Sequence, residues 1–301
     1  MPGLDPVAAA RWQALPRSAS PWLHEEIGGR MAERLGFIKQ APEAWLHWEP
    51  LLGGLQTHRA IAQQYPNAKV WLAGEQAAQA ERVLKPGSGA LAWLKRSVER
   101  LNGAPVRVLH SSDSLPEPVQ MLWANMALHR TPRPKALLAH WRDLLQVDGF
   151  LMFSCLGPDT LRELRPIFAA HGWAPPANEH TDMHDWGDML VEVGFAEPVM
   201  DMERITLAYA NADRLLQDLR ETGRNLHAQR FAALRGRDFR RGLLAALEAG
   251  LPRNAEGQLT VTVEVVYGHA FRPTPRVKMA PASTVSIQDM KTMLKQGGGA
   301  R

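Results

Sequence analysis

VQMLWA at 119–124 and FLMFS at 150–154, with a helical stretch at 134–145 between them, decide the fold. Short, uniformly apolar strands separated by a helix belong to parallel sheets that are covered on both faces. Upstream, apolar runs at 45–48, 69–73 (KVWLA) and 106–109 read as further strands. They alternate with helices at 55–64 and 75–84, and Gly53-Gly54, Tyr65-Pro66-Asn67 and Gly103-Ala104-Pro105 punctuate the changes of direction. Downstream come helices at 159–171 and 183–193, then two long alternating segments, 198–209 and 259–271. Their β-branched, period-two character suits strands near a sheet edge.

The pattern predicts an α/β, Rossmann-like, doubly wound sheet of about seven mostly parallel strands with helices on both faces. The region 212–250 reads as helical, an insertion before the last strand. The expected organisation is an N-terminal helical segment at 1–44, a core at 45–210, a helical insertion at 211–258, a last core strand at 259–272 and a mobile tail at 273–301. Within the first segment, Trp22, Leu23, Ile27, Met31 and Leu35 form one stripe of an amphipathic helix at 20–35.

Composition excludes several classes. The chain of 301 residues is 45% apolar and 22% charged, enough for one substantial core. No apolar run approaches the roughly 18 to 20 residues of a membrane span, and the start MPGLDPVAAARWQ lacks the order of a secretion signal, so a cytoplasmic location is expected. A single cysteine, Cys155, forbids an internal disulfide, and the scattered histidines offer no zinc spacing, so no metal is expected. The excess of 35 basic over 31 acidic residues is too small for a general polyanion binder. The arginines at 204–241 either form a solvated helical face or meet an acidic partner.

In doubly wound sheets ligands bind beyond the carboxyl ends of the strands, so the residues there are the site candidates. Four segments go further: LWANMALH at 122–129, GFLMFSCLGPDTLRELR at 149–165, HDWGDMLVEVGFAEPVMDMERITLAY at 184–209 and TVEVVYGHAF at 262–271. Together they resemble the malonyl-acyl-carrier-protein O-methyltransferases of biotin synthesis, class I methyltransferases, over about 119–273. The resemblance implies methyl transfer from S-adenosyl-L-methionine to the free carboxyl of a malonyl group on acyl carrier protein. It also implies that the insertion is a lid over the acyl group. A carboxylate is ionised at neutral pH, with a reference pKa of about 4, so positioning groups rather than a general base are expected.

The stretch LHWEPLLGGLQ at 46–56 departs from the family's glycine-rich cofactor loop. His47 stands where an acidic residue is expected, and Leu51 and Leu52 bring bulk to a place where small residues let backbone approach a ligand. Either Glu49, Gly53 and Gly54 form a shifted cofactor loop or this is an ordinary turn before a helix. Glu75, after the second strand, is placed for the ribose hydroxyls or for the first turn of a helix. Ser111 and Asp113 lie where adenine contacts are expected, and Asn125 matches the family's Ser-Asn-Leu segment. On the acceptor side His129, Tyr209 and Arg224 are positioning candidates. His129 with Arg130 reads equally as a polar loop, and Asp159 as a helix cap. Arg220, Asn225 and His227 share the insertion, whose arginines could steer an acidic carrier. Two alternatives remain: a methyltransferase fold that has lost the cofactor and serves as a binding or regulatory partner, and a nucleic-acid methyltransferase, which lacks the Asn/Asp-Pro-Pro-aromatic signature.

Overall fold

The computed structural model describes residues 3–84, 106–109, 115–231, 233 and 235–275. Ser111, Asp113 and nearly all of the tail expected to be mobile lie outside the described residues.

Seven strands form one sheet: β1 (Ala44–Trp48), β2 (Lys69–Ala73), β3 (Val106–Val108), β4 (Val119–Ala124), β5 (Leu145–Leu156), β6 (Ala196–Tyr209) and β7 (Leu259–Phe271). Their order is β3-β2-β1-β4-β5-β7-β6. The pairs from β3 to β5 are parallel, and β7 runs antiparallel to both neighbours. Alternation within each strand builds two cores. Trp45, Trp123, Phe150 and Met152 face one side, under α2 (Trp22–Arg34), α4 (Leu55–Gln64) and α5 (Ala77–Leu84). Leu46, Leu122, Leu151 and Phe153 face the other, under α6 (Pro134–Leu144) and α8 (Met183–Glu192). Gly268 is required by this packing, because a Cβ there would lie 2.1 Å from the Phe153 ring.

The β6–β7 pairing positions the site. Its register runs from Ala196 opposite Phe271 to Tyr209 opposite Leu259, and Leu156 at the end of β5 pairs with Val265. The Tyr209/Leu259 end therefore overhangs the carboxyl ends of β4 and β5. The insertion, α9 (Ala212–Thr222) and α10 (Arg237–Gly250), grows from that overhang. Its apolar face closes on α7 (Leu164–Ala170) through Leu164, Ile167, Leu215 and Leu247.

Three local readings are corrected. The helix at 159–171 begins only at Leu164, and Asp159 does not cap it: its carboxylate accepts from Arg204 Nε (2.8 Å) and Arg162 Nη1 (3.2 Å). The turn after β1 is helical, α3 (Pro50–Gly53). A helix that periodicity did not reveal, α1 (Pro6–Gln13), is capped by the Asp5 carboxylate and buries Trp12. Among the described residues no helix is long and apolar enough to cross a membrane, and no His/Cys/Asp/Glu cluster is arranged to hold a metal ion.

Candidate functional site

The carboxyl edge above β1 is built from the Trp48-Glu49-Pro50-Leu51-Leu52-Gly53-Gly54 turn. Glu49 adopts a left-handed conformation (φ 52°), rare for a side chain of its size, and its N–H donates to Ala73 O at 2.7 Å. Pro50, with φ preset, opens a helical turn that closes on the Glu49 carbonyl through the Leu52 and Gly53 N–H groups. This drives both leucines inward. Leu51 is 0% exposed and joins the core below, while Leu52, 1% exposed, packs with Leu4, Ala9, Trp12 and Leu226. The Glu49 carboxylate is buried with them. Its Oε1 accepts from Gln13 Nε2 (2.8 Å) and the Glu75 N–H (3.1 Å), and its Oε2 is left without a partner. Gly74 (φ 111°) makes room for it, since a Cβ there would stand 2.6 Å from the carboxylate carbon.

The chain after α1 covers this turn. Gln76 Nε2 donates to the Gln13 and Leu15 carbonyls, and Arg17 donates to Trp12 O (2.8 Å) while lying 4.0 Å over the Trp12 ring. Beneath the turn His47 and His58 stack with their Nδ1 atoms 3.1 Å apart, so one must donate and the other accept. Burial holds both neutral, His58 at about 4 and His47 well below the usual imidazole range. Asn125 is spent as well. Its amide donates to His24 O (2.7 Å) and Gly53 O (2.6 Å), and its carbonyl accepts from the Ser154 hydroxyl.

A nucleoside sulfonium would need this edge to be open where its methionine portion lies. The described residues do not fit that portion. The turn is filled by Leu51, Leu52 and the Glu49 carboxylate, Gly53 is small because a Cβ would meet His47 Nε2 at 2.8 Å, and Gly54 because one would meet the Glu25 carboxylate at 2.7 Å. Glu75 is exposed just beyond β2, its side chain left out of this packing.

One strand over, the edge is hollow. A cavity of about 260 Å³ lies above β4 and β5, walled below by Met126 and Leu156 and above by Leu216, Leu219 and Leu247 of the insertion. His129, His180, Arg130, Arg220, Arg224 and Asn225 add its polar lining. Met126 takes a left-handed φ of 55°, held by its N–H to Ser154 Oγ (3.0 Å) and by Arg130 Nε to its carbonyl (2.7 Å). The His129 Nδ1 accepts from the Leu156 N–H at 3.4 Å, and burial first, then Arg130, keeps that ring neutral. His180, pushed down by burial to about 4, stands edge-on to His129 with its Nδ1 unpartnered.

The predicted residues thus separate. Glu49, Gly53, Gly54 and Asn125 come together, but as mutual packing partners. His129 and Arg224 line the cavity. Tyr209 does not: it is buried in the cluster between the insertion and the sheet, and burial raises its hydroxyl to about 12. His227 lies outside the lining, its Nδ1 accepting from the Gln229 N–H. Sequence reasoning missed Gln13, at the end of a helix that periodicity did not reveal, and His180, in a loop with no periodicity to mark it.

No protein-family model matches the chain. A malonyl-[acyl-carrier protein] O-methyltransferase of Laribacter hongkongensis is 40% identical over 84% of this chain and 84% of its own length. The chain belongs to that family. Proteins of the same name from Gallionella capsiferriformans (36%, covering 89% of this chain and 90% of its own) and Nitrosospira multiformis (33%, 87% and 86%) agree. It is accordingly an O-methyltransferase by descent, with the strand order of a class I methyltransferase. Among solved structures, a Bacillus halodurans protein aligns over 82% of this chain and 100% of its own at 14% identity and a TM-score of 0.49; strand order, not that superposition, carries the fold.

Proposed function

We propose that this chain methylates the free carboxylate of a malonyl thioester carried on acyl carrier protein, with S-adenosyl-L-methionine as methyl source. The observation that carries the reading is the match of 40% identity over most of both chains to a relative named for that reaction. The acceptor cavity agrees with it. It lies at the carboxyl ends of β4 and β5, where doubly wound sheets hold their ligands, and exposed Arg220 and Arg224 stand at its mouth. There they can meet the phosphate of a carrier's phosphopantetheine arm. A cytoplasmic location is part of the same proposal.

A malonyl carboxylate arrives ionised and needs no base. His129 and His180, both held neutral by burial, suit a wall that orients the acceptor without competing for a proton. The apolar walls exclude water, which would otherwise solvate the nucleophile. Because the turn at Glu49–Gly54 does not fit the methionine portion, no step is assigned to residues holding the cofactor.

The test is mass spectrometry of malonyl carrier protein incubated with the full chain and cofactor. A gain of one methyl is expected; an unmodified carrier, from folded protein, would sink the reading. Calorimetry with S-adenosylhomocysteine tests the alternative role as a binding partner, for which the carrier binds and the nucleoside gives no heat.

A further inference from the structure

We propose that Arg130 is the anchor for the acceptor's carboxylate, an inference that rests on the malonyl-carrier reading. Three arginines line the cavity. Arg220 and Arg224 are exposed at its mouth, and Arg224 spends its Nη1 on the carbonyls of Arg220 and Gly223 at the end of α9 while its guanidinium lies 5.0 Å from the Trp12 ring. Arg130 is different. It is enclosed by protein yet keeps some accessible surface, as the wall of an internal hollow does. A single hydrogen bond, Nε to Met126 O at 2.7 Å, fixes the plane of its guanidinium. Among the described residues no carboxylate lies within ion-pair distance of it, and its Nη atoms donate to none of the described protein acceptors.

A guanidinium held by Nε, with its terminal nitrogens uncommitted in a hollow whose floor and roof are apolar, is preorganised for a planar anion. Burial is the first cause lowering its pKa, to about 10, and it still remains charged at neutral pH. The buried Glu49 carboxylate acts on it only through space, beyond ion-pair distance, and an acyl carboxylate entering from the mouth would supply the direct partner that a buried cation needs. The adjoining groups fit the same guest. His129 and His180 are neutral, so neither adds a competing charge, and the unpartnered Nδ1 of His180 can donate if protonated there as a tautomer. Arg130 thus sets specificity, because it distinguishes an acyl chain ending in a carboxylate from one ending in a methyl.

Calorimetry with malonyl- and acetyl-carrier protein, cofactor omitted, tests this. The unaltered chain should bind the malonyl form about tenfold to a hundredfold more tightly, the range of charge-assisted hydrogen bonds. Arg130→Gln should abolish that preference, the malonyl form then binding no better than the acetyl form, and an unchanged circular-dichroism spectrum shows that the variant is folded. Arg130→Lys should restore part of it. Preference retained in Arg130→Gln would overturn the role of Arg130 and leave the substrate reading standing. No preference in the unaltered chain would overturn both.

Discussion

Above β1 the carboxyl edge of the sheet is packed solid; above β4 and β5, one strand over, it is hollow. Both regions belong to the same ligand-binding edge, and the difference lies in who supplies the cover. Over β1 the cover lies in direct contact: a proline-started turn swings Leu51 and Leu52 inward and the chain from Gln13 to Arg17 settles on top. Over β4 and β5 the cover comes from α9 and α10, carried out on the overhanging β6–β7 pair, and a roof held away from the floor leaves space. A cover seated directly on the edge makes close packing, and a cover held away from it makes a site.

Acid should give the largest test of this contrast. Burial pushes His24 down to about 3, and His58 and His180 to about 4. The unfolded chain therefore takes up protons at a higher pH than the folded one. Stability is full above the unfolded value near 6.5 and is lost as pH falls from there toward about 4. With up to about 1.4 kcal/mol per pH unit for each ring, on the order of 5 kcal/mol should disappear between pH 7 and pH 5 in urea titrations. A flat midpoint over that interval would break the account. His58 is in the packed region, His180 in the hollow one, and His24 borders both, lining the cavity with its Nδ1 2.8 Å from Leu52 O, so hydrogen exchange in mild acid should show the turn at Leu52 opening as well as the cavity.

Leu51→Ala should come next, lowering stability by about 2–5 kcal/mol because a fully enclosed side chain leaves a void. The mirror substitution, Leu219→Ala in the cavity wall, should cost only about 0.5–1.5 kcal/mol, since it enlarges a hollow that exists already. Equal losses in denaturant unfolding would mean that the two regions are packed alike.

Asn125→Ala separates structure from ligand contact. It strips donors from the His24 and Gly53 carbonyls and an acceptor from Ser154, so about 1–3 kcal/mol of stability should go. If Asn125 instead serves the cofactor, stability would change little and affinity for S-adenosylhomocysteine would fall.

The strand and helix alternation was legible from residue order alone, because continuous apolar runs and Gly/Pro punctuation are local signals. Residues 119–124 and 259–271 were bounded correctly for that reason, and β7 needed only its period-two pattern. The departure at 46–56 was legible too, since bulk in place of glycine is a property of composition. Beyond that point the sequence runs out. The inward swing of Leu51 and Leu52 depends on one left-handed residue, Glu49, whose conformation is stabilised by contacts to Gln13 and Glu75 far along the chain. Asn125 read as a cofactor-side residue, and only its three partners show it bonded within the fold. The cavity is decided wholly by tertiary structure. Its floor and roof are more than fifty residues apart, and which arginine faces inward depends on how β6 and β7 overhang the sheet.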